Sequence, residues 1–477
     1  MHRNHSIIAL WAGFHDLAYG VAVDVGSTTV AVHLCDLSSG DVLASASVMN
    51  PQIRFGEDLM SRVSYVMMHP EGAQEMTSAI RVALNDLFKN VAKQVKAKVE
   101  DILEITLVAN PIMHHLLLGI NPVELGGAPF ALTTDTAVEM PARELDLQIN
   151  HGGRIYILPC IAGHVGADTA GVILSEEPQQ QKAMTLLVDV GTNAEIVLGD
   201  KNRLLACSSP TGPAFEGAQI SAGQRAAAGA IERVRIDPDT LVARFKVIGS
   251  DLWSDEPGFI EETSKFGVTG ICGSGIIEVV AEMYLSGIVT VDGIIDGELA
   301  SRSPLVVADG RTWSYVLYQS DLTENQAPIL VTQNDIRQIQ LAKAALYAGV
   351  KLLMDKLDID HVDRIRLAGA FGSHINVQHA MVLGLIPDCA LKQVSSAGNA
   401  AGTGARIALL NNQSRNTIED LVTNIEKIET AMEPKFQQYF VDAMAFPNKT
   451  DPFPNLFSTI DKPPEKLITE SPGGRKR

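Results

Sequence analysis

Two short segments of the chain set an aspartate just ahead of a turn glycine: Val23-Asp24-Val25-Gly26-Ser27-Thr28-Thr29 and Val188-Asp189-Val190-Gly191-Thr192-Asn193. Apolar runs flank each, which reads as strand, tight turn, strand. Gly26 and Gly191 let the backbone approach a ligand closely, and successive N–H groups of such a turn form an anion-binding concavity. Ser27, Thr28, Thr29 and Thr192 add hydroxyl donors, and Asn193 completes the second turn. This chemistry suits a nucleotide polyphosphate. Asp24 and Asp189 repel phosphate, so they make sense with a divalent cation between, a Mg ion held through its water shell. They are the predicted catalytic and metal-site pair, and two such turns facing each other clamp one MgATP. A single-loop solution does not apply, because no Gly-x-x-x-x-Gly-Lys-Ser/Thr occurs and no lysine follows either turn.

Two further glycine sites follow. In Ile365-Arg366-Leu367-Ala368-Gly369-Ala370-Phe371-Gly372 an apolar strand runs into glycines that leave room for a flat base and ribose, so Gly369, Ala370, Phe371 and Gly372 are predicted nucleotide contacts. Between residues 267 and 278, Gly270, Gly273 and Gly275 precede an apolar helix over 276–285, whose N-terminus is another place for an anion. Each alone reads equally well as a packing turn. Their order along the chain is what gives them weight.

The elements that must position these turns are legible from periodicity. Ile80, Ala83, Leu84, Leu87, Phe88, Val91 and Val95 share one face of a helix over 77–95. A buried strand over 105–109 stops at Asn110-Pro111 before a helix through 118. Another strand covers 155–158, with a helix over 163–174 beyond it. The polar run 176–182 reads as a linker. A buried connecting helix over 334–357 precedes the late glycine site. The repeated Val-Asp-Val-Gly hairpin implies two related lobes, each opening with an acidic turn.

Composition narrows the partners. The chain has 477 residues, enough for two to four domains at about 150 residues each. Hydrophobic residues make up 46% and charged residues 20%, which is ordinary for a folded α/β protein. A formal charge of −18 repels phosphate backbones and anionic lipid, so neither nucleic acid nor membrane is an expected partner. Five cysteines at wide spacings, Cys35, Cys160, Cys207, Cys272 and Cys389, read as small buried hydrophobes in a reducing compartment. No apolar run is long enough to span a membrane, and the short apolar stretch 6–14 lacks a cleavage site, so a cytoplasmic location is expected.

The two Asp-x-Gly-Ser/Thr hairpins, the Ala-Gly-Ala-Phe-Gly motif and the buried helix before it resemble the acetate and sugar kinase, chaperone and actin superfamily. That resemblance implies an α/β fold of two ribonuclease H-like lobes with a nucleotide cleft between them. Longer phrases are similar to the reductive activators of corrinoid proteins: residues 19–29, Asn50-Pro51-Gln52 with Phe55-Gly56-Glu57-Asp58, Met113-His114-His115, Leu158-Pro159-Cys160 with Val165-Gly166-Ala167-Asp168, Thr211-Gly212-Pro213, Gly270-Ile271-Cys272-Gly273-Ser274-Gly275, and Ala397-Gly398-Asn399-Ala400-Ala401-Gly402. They cover about 19–447. Expected units are an N-terminal remnant (1–18), a middle domain carrying the first lobe (19–176), a C-terminal ATPase domain (183–447) and a disordered tail (448–477).

The resemblance implies an ATPase that restores Co(II) to Co(I) in a corrinoid protein or corrinoid-dependent methyltransferase, with Ser274 as a candidate corrinoid contact. The alternative for Ser274 is a helix N-cap serving Ile277 or Glu278. Family members commonly carry an N-terminal [2Fe-2S] ferredoxin domain. Residues 1–18 hold no cysteine, so no iron–sulfur cluster is expected in this chain, and either the chain is a shortened product or a separate ferredoxin supplies the electron. A homodimer remains an open assembly. Two rivals stand beside this reading: a small-molecule kinase of the same superfamily and an ATP-gated scaffold without hydrolysis. His114 and His115 are expected as one packed and one exposed ring. Glu195 and Glu216 are either water-positioning groups or exposed strand glutamates, and Arg225, Arg233 and Arg366 are expected as surface charge.

Overall fold

The computed structural model describes residues 2–3, 6–319 and 327–464. Its core is two six-stranded sheets. The first holds β1 (Tyr19–Val25), β2 (Thr29–Asp36), β3 (Val42–Met49), β4 (Ile102–Ala109), β5 (Val138–Pro141) and β6 (Arg154–Ile157) in the order β3-β2-β1-β4-β6-β5. The second holds β7 (Thr185–Val190), β8 (Ala194–Gly199), β9 (Leu204–Ser209), β10 (Arg364–Ala368), β11 (Val394–Gly398) and β12 (Glu426–Lys427) in the order β11-β10-β7-β8-β9-β12. In both, an antiparallel meander of three strands is extended by two parallel strands laid beside its first member. The same pairing pattern built twice gives the two lobes that the repeated hairpin implied, in the ribonuclease H-like architecture that the resemblance implied.

Burial explains why these residues form strands. Val21, Val23 and Val25 of β1 and Leu186, Val188 and Val190 of β7 are buried, as are the facing residues of β4 and β10. A strand covered on both sides needs an apolar residue at nearly every position, and an acidic one there is an exception that calls for a reason. The long helix forms over Gly72–Gln94 and buries Met76, Ile80, Leu84, Leu87, Phe88 and Val91 against the first sheet. Residues Gln333–Leu357 form the buried connecting helix. Two three-stranded sheets, over 230–271 and 306–332, enlarge the second lobe and were not anticipated.

The lobes meet through two helices, Ala167–Glu176 and Ala400–Leu410. A side chain at Gly404 would collide with the Gly171 carbonyl, and one at Gly171 would stand 2.9 Å from the Ala401 carbonyl. Only glycines allow this backbone-to-backbone crossing. Around it, Ala22, Val108, Ala170, Leu187, Ala368, Ala401 and Ala405 form one apolar layer shared by both lobes.

Several expectations change. The helix predicted from 163 begins at Ala167, because Ile161 and Ala162 both donate to the Val165 carbonyl and close a tight turn first. The 176–182 linker is packed: Pro178 is buried in a short 3-10 turn and Glu176 binds Arg366 at 2.6 Å. Residues 7–18 are tied to the first lobe, with Ala9 and Ala18 buried and His15 pairing with Asp101 at 3.3 Å. The solvated tail expected from Asn448 holds a buried Phe453 and Leu456, and Asp451 binds Tyr347 and Lys351 at 2.9 Å each. Residues 465–477 lie outside the described residues.

The helix crossing gives a direct check. Gly404→Val is expected to force the two helices apart and destabilise the protein by about 1–3 kcal/mol in thermal or denaturant unfolding. An unchanged unfolding midpoint would contradict so close an approach.

Candidate functional site

Asp24 is the penultimate residue of β1, set between Ala31 of β2 and Val108 of β4; Asp189 is the penultimate residue of β7, between Glu195 of β8 and Ala368 of β10. Each therefore stands at the strand end where its turn begins. In the first turn the Gly26 N–H donates to Thr29 at 3.0 Å, and in the second the Gly191 N–H donates to Asn193 at 3.0 Å. Thr211 Oγ1 donates to the carbonyls of Gly191 and Thr192 at 2.9 and 3.0 Å, which turns those oxygens away from any phosphate. Thr192 Oγ1 donates to Glu216 at 2.8 Å, so Glu216 orients a hydroxyl of the second turn.

The late glycine motif meets the same site. Gly369 has φ +82°, and any side chain there would collide with the Asp189 carboxylate. The helix Gly369–His374 therefore starts against Asp189, at the end of β10. Gly372 is buried behind it, and the side chains of Ala370 and Phe371 lie outside the described residues.

A third and a fourth carboxylate complete the cluster. Asp168 is in the first turn of the helix Ala167–Glu176, where the Thr169 N–H donates to it at 2.8 Å. Glu195 pairs across the strands with Asp189, and Ser208 Oγ reaches it at 3.5 Å. Asn399 caps the helix Ala400–Leu410 by accepting the Gly402 N–H at 2.8 Å, and its side chain also bonds Asp24. The glycine crossing of the two helices thus brings both N-termini, with Asp168 and Asn399, to the cleft that the two turns border.

The electrostatics are those of an uncompensated anionic cluster. Burial first, then the charges of Asp168 and Asp189, push Asp24 up to about 7, against which the Asn399 bond works. Burial and Asp168 push Asp189 up to about 7. Burial raises Asp168 to about 6 despite its bonds to backbone N–H groups. Glu195 is held well above the usual carboxylate range by burial and by both neighbouring aspartates. Carboxylates gathered without a cation disfavour one another's charge, and a divalent ion relieves all of them at once. Among the described residues no three His, Cys, Asp or Glu form a direct ligand cage, so this donor set fits a hydrated Mg ion shared with phosphate oxygens better than a protein-caged one.

The structure brings the two aspartates near each other, with Gly369 against Asp189. Glu195 is no exposed strand residue but faces the cluster. Asp168 and Asn399 were missed as site residues, although an acid one turn into a helix after Gly166, and an Asn ahead of a run of small residues, were signals of helix N-termini. Ser274 stands apart: Cys272 is the helix N-cap, and the Ser274 hydroxyl is buried 3.3 Å from Cys272 Sγ. Its alternative as the N-cap is therefore set aside. His114 and His115 are both buried, not one exposed, because the loop leading to Thr133 covers the outer face of their helix; burial lowers His114 to about 3. Arg233 pairs with the fully buried Glu278 at 2.9 Å and Arg366 with Glu176, so neither is free surface charge. Arg225 is the exposed member, touching Met49. All five cysteines are buried and free.

Comparison with known proteins agrees with this geometry. A family model described as the C-terminal domain of RACo, the ASKHA domain, matches residues 183–457, and one described as the RACo middle region matches residues 19–181. The corrinoid activation enzyme RamQ of Eubacterium limosum is 34% identical over 434 residues, spanning 89% of this chain and 70% of RamQ. The [Co(II) methylated amine-specific corrinoid protein] reductase of Methanosarcina barkeri is 23% identical over 429 residues, 86% of this chain and 73% of that protein. A solved reductive activator for corrinoid, iron–sulfur protein superposes with a TM-score of 0.77 at 32% identity, covering 91% of this chain and 67% of the other. With both lobes, both acidic turns and the late glycine motif in place, the chain belongs to the family of reductive activators of corrinoid proteins, of which it carries the middle region and the ASKHA domain.

Proposed function

We propose that this protein is an ATP-dependent reductive activator that returns the Co(II) of a corrinoid protein, or of a corrinoid-dependent methyltransferase, to Co(I). The observation that carries the proposal is the gathering of Asp24, Asp168, Asp189 and Glu195 beside two glycine turns. Gly26 to Thr29 and Gly191 to Asn193 hold the phosphates, Gly369 to Gly372 the adenosine, and Asp24 and Asp189 hold Mg through its water. Mg bound there would supply charge neutralisation for the phosphates in the transfer of the terminal one to water. Glu195 orients that water, since a carboxylate with a raised pKa is the stronger base.

Hydrolysis supplies no electron. The electron comes from a ferredoxin, fused in a longer form of the chain or separate, and ATP acts through the lobes. Nucleotide bound to both turns favours a closed arrangement about the glycine crossing, and only a difference in partner affinity between arrangements can shift the partner. A one-electron equilibrium changes tenfold for about 59 mV, so modest coupling suffices. Ser274 is the proposed corrinoid contact. Among the described residues no helix is long and apolar enough to cross a membrane, in keeping with the proposed cytoplasmic location.

Phosphate release is expected to rise when a Co(II) corrinoid protein is added, and Asp24→Ala and Asp189→Ala are each expected to cut it about 100-fold. Unchanged hydrolysis in both variants would remove the aspartates from the mechanism. Phosphotransfer to acetate, glycerol or a sugar would favour the kinase alternative.

A second expectation concerns pH. An aspartate titrates near 3.8 in the unfolded chain, whereas Asp24 and Asp189 titrate near 7 in the fold. Between those values the native state keeps protons that the unfolded chain has lost, so their contribution to stability falls as pH rises and is least favourable above about 7. Without Mg, Asp189→Asn should melt higher than the wild type at pH of about 8, with the gap closing towards pH 4, while losing Mg-dependent nucleotide binding. Parallel melting curves across that range would contradict the raised aspartates.

A further inference from the structure

Arg62 lies on the helix Leu59–Met68 and is the largest fully buried side chain among the described residues. Its guanidinium donates to the Gly56 carbonyl at 2.9 Å, to Met113 Sδ at 3.1 Å and to the Ser27 carbonyl at 2.5 Å. All three acceptors are neutral. Among the described residues no carboxylate lies within ion-pair distance, and Asp58, the N-cap of the same helix, acts on it only from further away. Burial lowers the guanidinium to about 10, so it is charged at neutral pH. A desolvated cation with no counter-ion is costly, and a protein rarely keeps one without an anion to meet.

Ser27 belongs to the first phosphate turn, and Arg62 does not act on it alone. Asn50 Nδ2 donates to the Gly26 carbonyl and the Asn50 N–H to the Thr28 carbonyl, each at 2.8 Å. The three carbonyls of the turn are thus all drawn back into the first lobe. The N–H groups of Ser27 and Thr28 donate to no protein acceptor among the described residues. The second turn has its carbonyls retracted as well, but by Thr211 Oγ1 and the Gly212 N–H, which are neutral. The first turn has a positive charge behind it.

We infer that Arg62 is a positioning residue for the nucleotide: it holds the Ser27 carbonyl away from the cleft and keeps an unneutralised positive charge behind the first turn, for which the bound polyphosphate is the counter-ion. This rests on the nucleotide reading of the cleft. Asn50 and Arg62 both come from the stretch 50–62, far in sequence from either turn, and Met113 Sδ accepts from both.

Met113 offers the test. It is the third residue of the helix Pro111–Leu118, where an acidic residue suits the helix end, so Met113→Glu sets a carboxylate of similar reach beside Arg62 and neutralises it. Met113→Gln is its uncharged control. Affinities for MgATP, MgADP and adenosine would be measured by calorimetry on the full chain, with melting temperatures of both variants. Met113→Glu is expected to melt at or above Met113→Gln, to bind MgATP and MgADP about tenfold more weakly, which is about 1.4 kcal/mol, and to bind adenosine equally. Equal MgATP affinity in the two folded variants would overturn the inference. Should Met113→Glu fail to fold, Arg62→Lys and Arg62→Gln decide by the ratio of MgATP to adenosine affinity: the lysine variant keeps it within about threefold and the glutamine variant loses about tenfold, and equal ratios overturn the inference. A wild-type chain that binds no MgATP would instead count against the nucleotide reading itself.

Discussion

Repulsion among half-buried carboxylates is the constraint on which the rest of this structure depends. Asp24 and Asp168 come from the first lobe, Asp189 and Glu195 from the second; the charges of Asp168 and Asp189 raise Asp24 and Glu195, and that of Asp168 raises Asp189. No single lobe contains the cluster. It exists only because two copies of one topology face each other, and it stays uncomfortable until a cation enters. On the proposed function, the affinity for a magnesium nucleotide and the relative placement of the lobes are two readings of the same free energy. The lobes are held together by a contact with little room for compromise, the glycine crossing of two helices, while the helix ends beyond it deliver Asp168 and Asn399.

The two lobes are alike in topology and unlike in chemistry. The residue paired across the strands from Asp189 is Glu195, whereas Asp24 faces Ala31. The second lobe thus supplies the extra carboxylate, and its turn is shaped by hydroxyls and Glu216. The first lobe supplies a turn backed by a buried guanidinium. A charge-bearing network also reaches from the late glycine motif towards Ser274: Arg233 bonds both the His374 carbonyl and Glu278, and Glu278 belongs to the helix that begins beside Ser274. Glu278 is fully buried and also binds Arg235 at 2.6 Å, so this bridge is firmly tethered.

Much of this was legible in the sequence, because local rules and global fold agree at the turns. Val-Asp-Val-Gly is a strand, an acid and a turn whatever surrounds it, and its recurrence announced two lobes. The late Ala-Gly-Ala-Phe-Gly motif was readable as a backbone that must come close to something, though not that the something would include the Asp189 carboxylate. What stayed hidden depends on tertiary contact. Asp168 and Asn399 look like ordinary helix-start residues until the crossing at Gly171 and Gly404 aims both helices at one point. Glu195 reads as an exposed strand residue unless the opposing lobe is known. The pair His114 and His115 shows the opposite error, since adjacent helix residues point apart, yet a covering loop buries both. The stretch after Asn448 misled through its prolines: composition suggested solvation, while Phe453 and Leu456 fill the second lobe's core.

The central claim is that one hydrated divalent ion sits between the acidic turns with the phosphates of a nucleotide. Crystals grown with ADP or a non-hydrolysable ATP analogue and Mn in place of Mg, measured for Mn anomalous scattering, test it most directly. The expected result is a single strong peak between Asp24 and Asp189, contacting phosphate oxygens and reaching the carboxylates through water. A nucleotide bound with its metal away from both aspartates would contradict it.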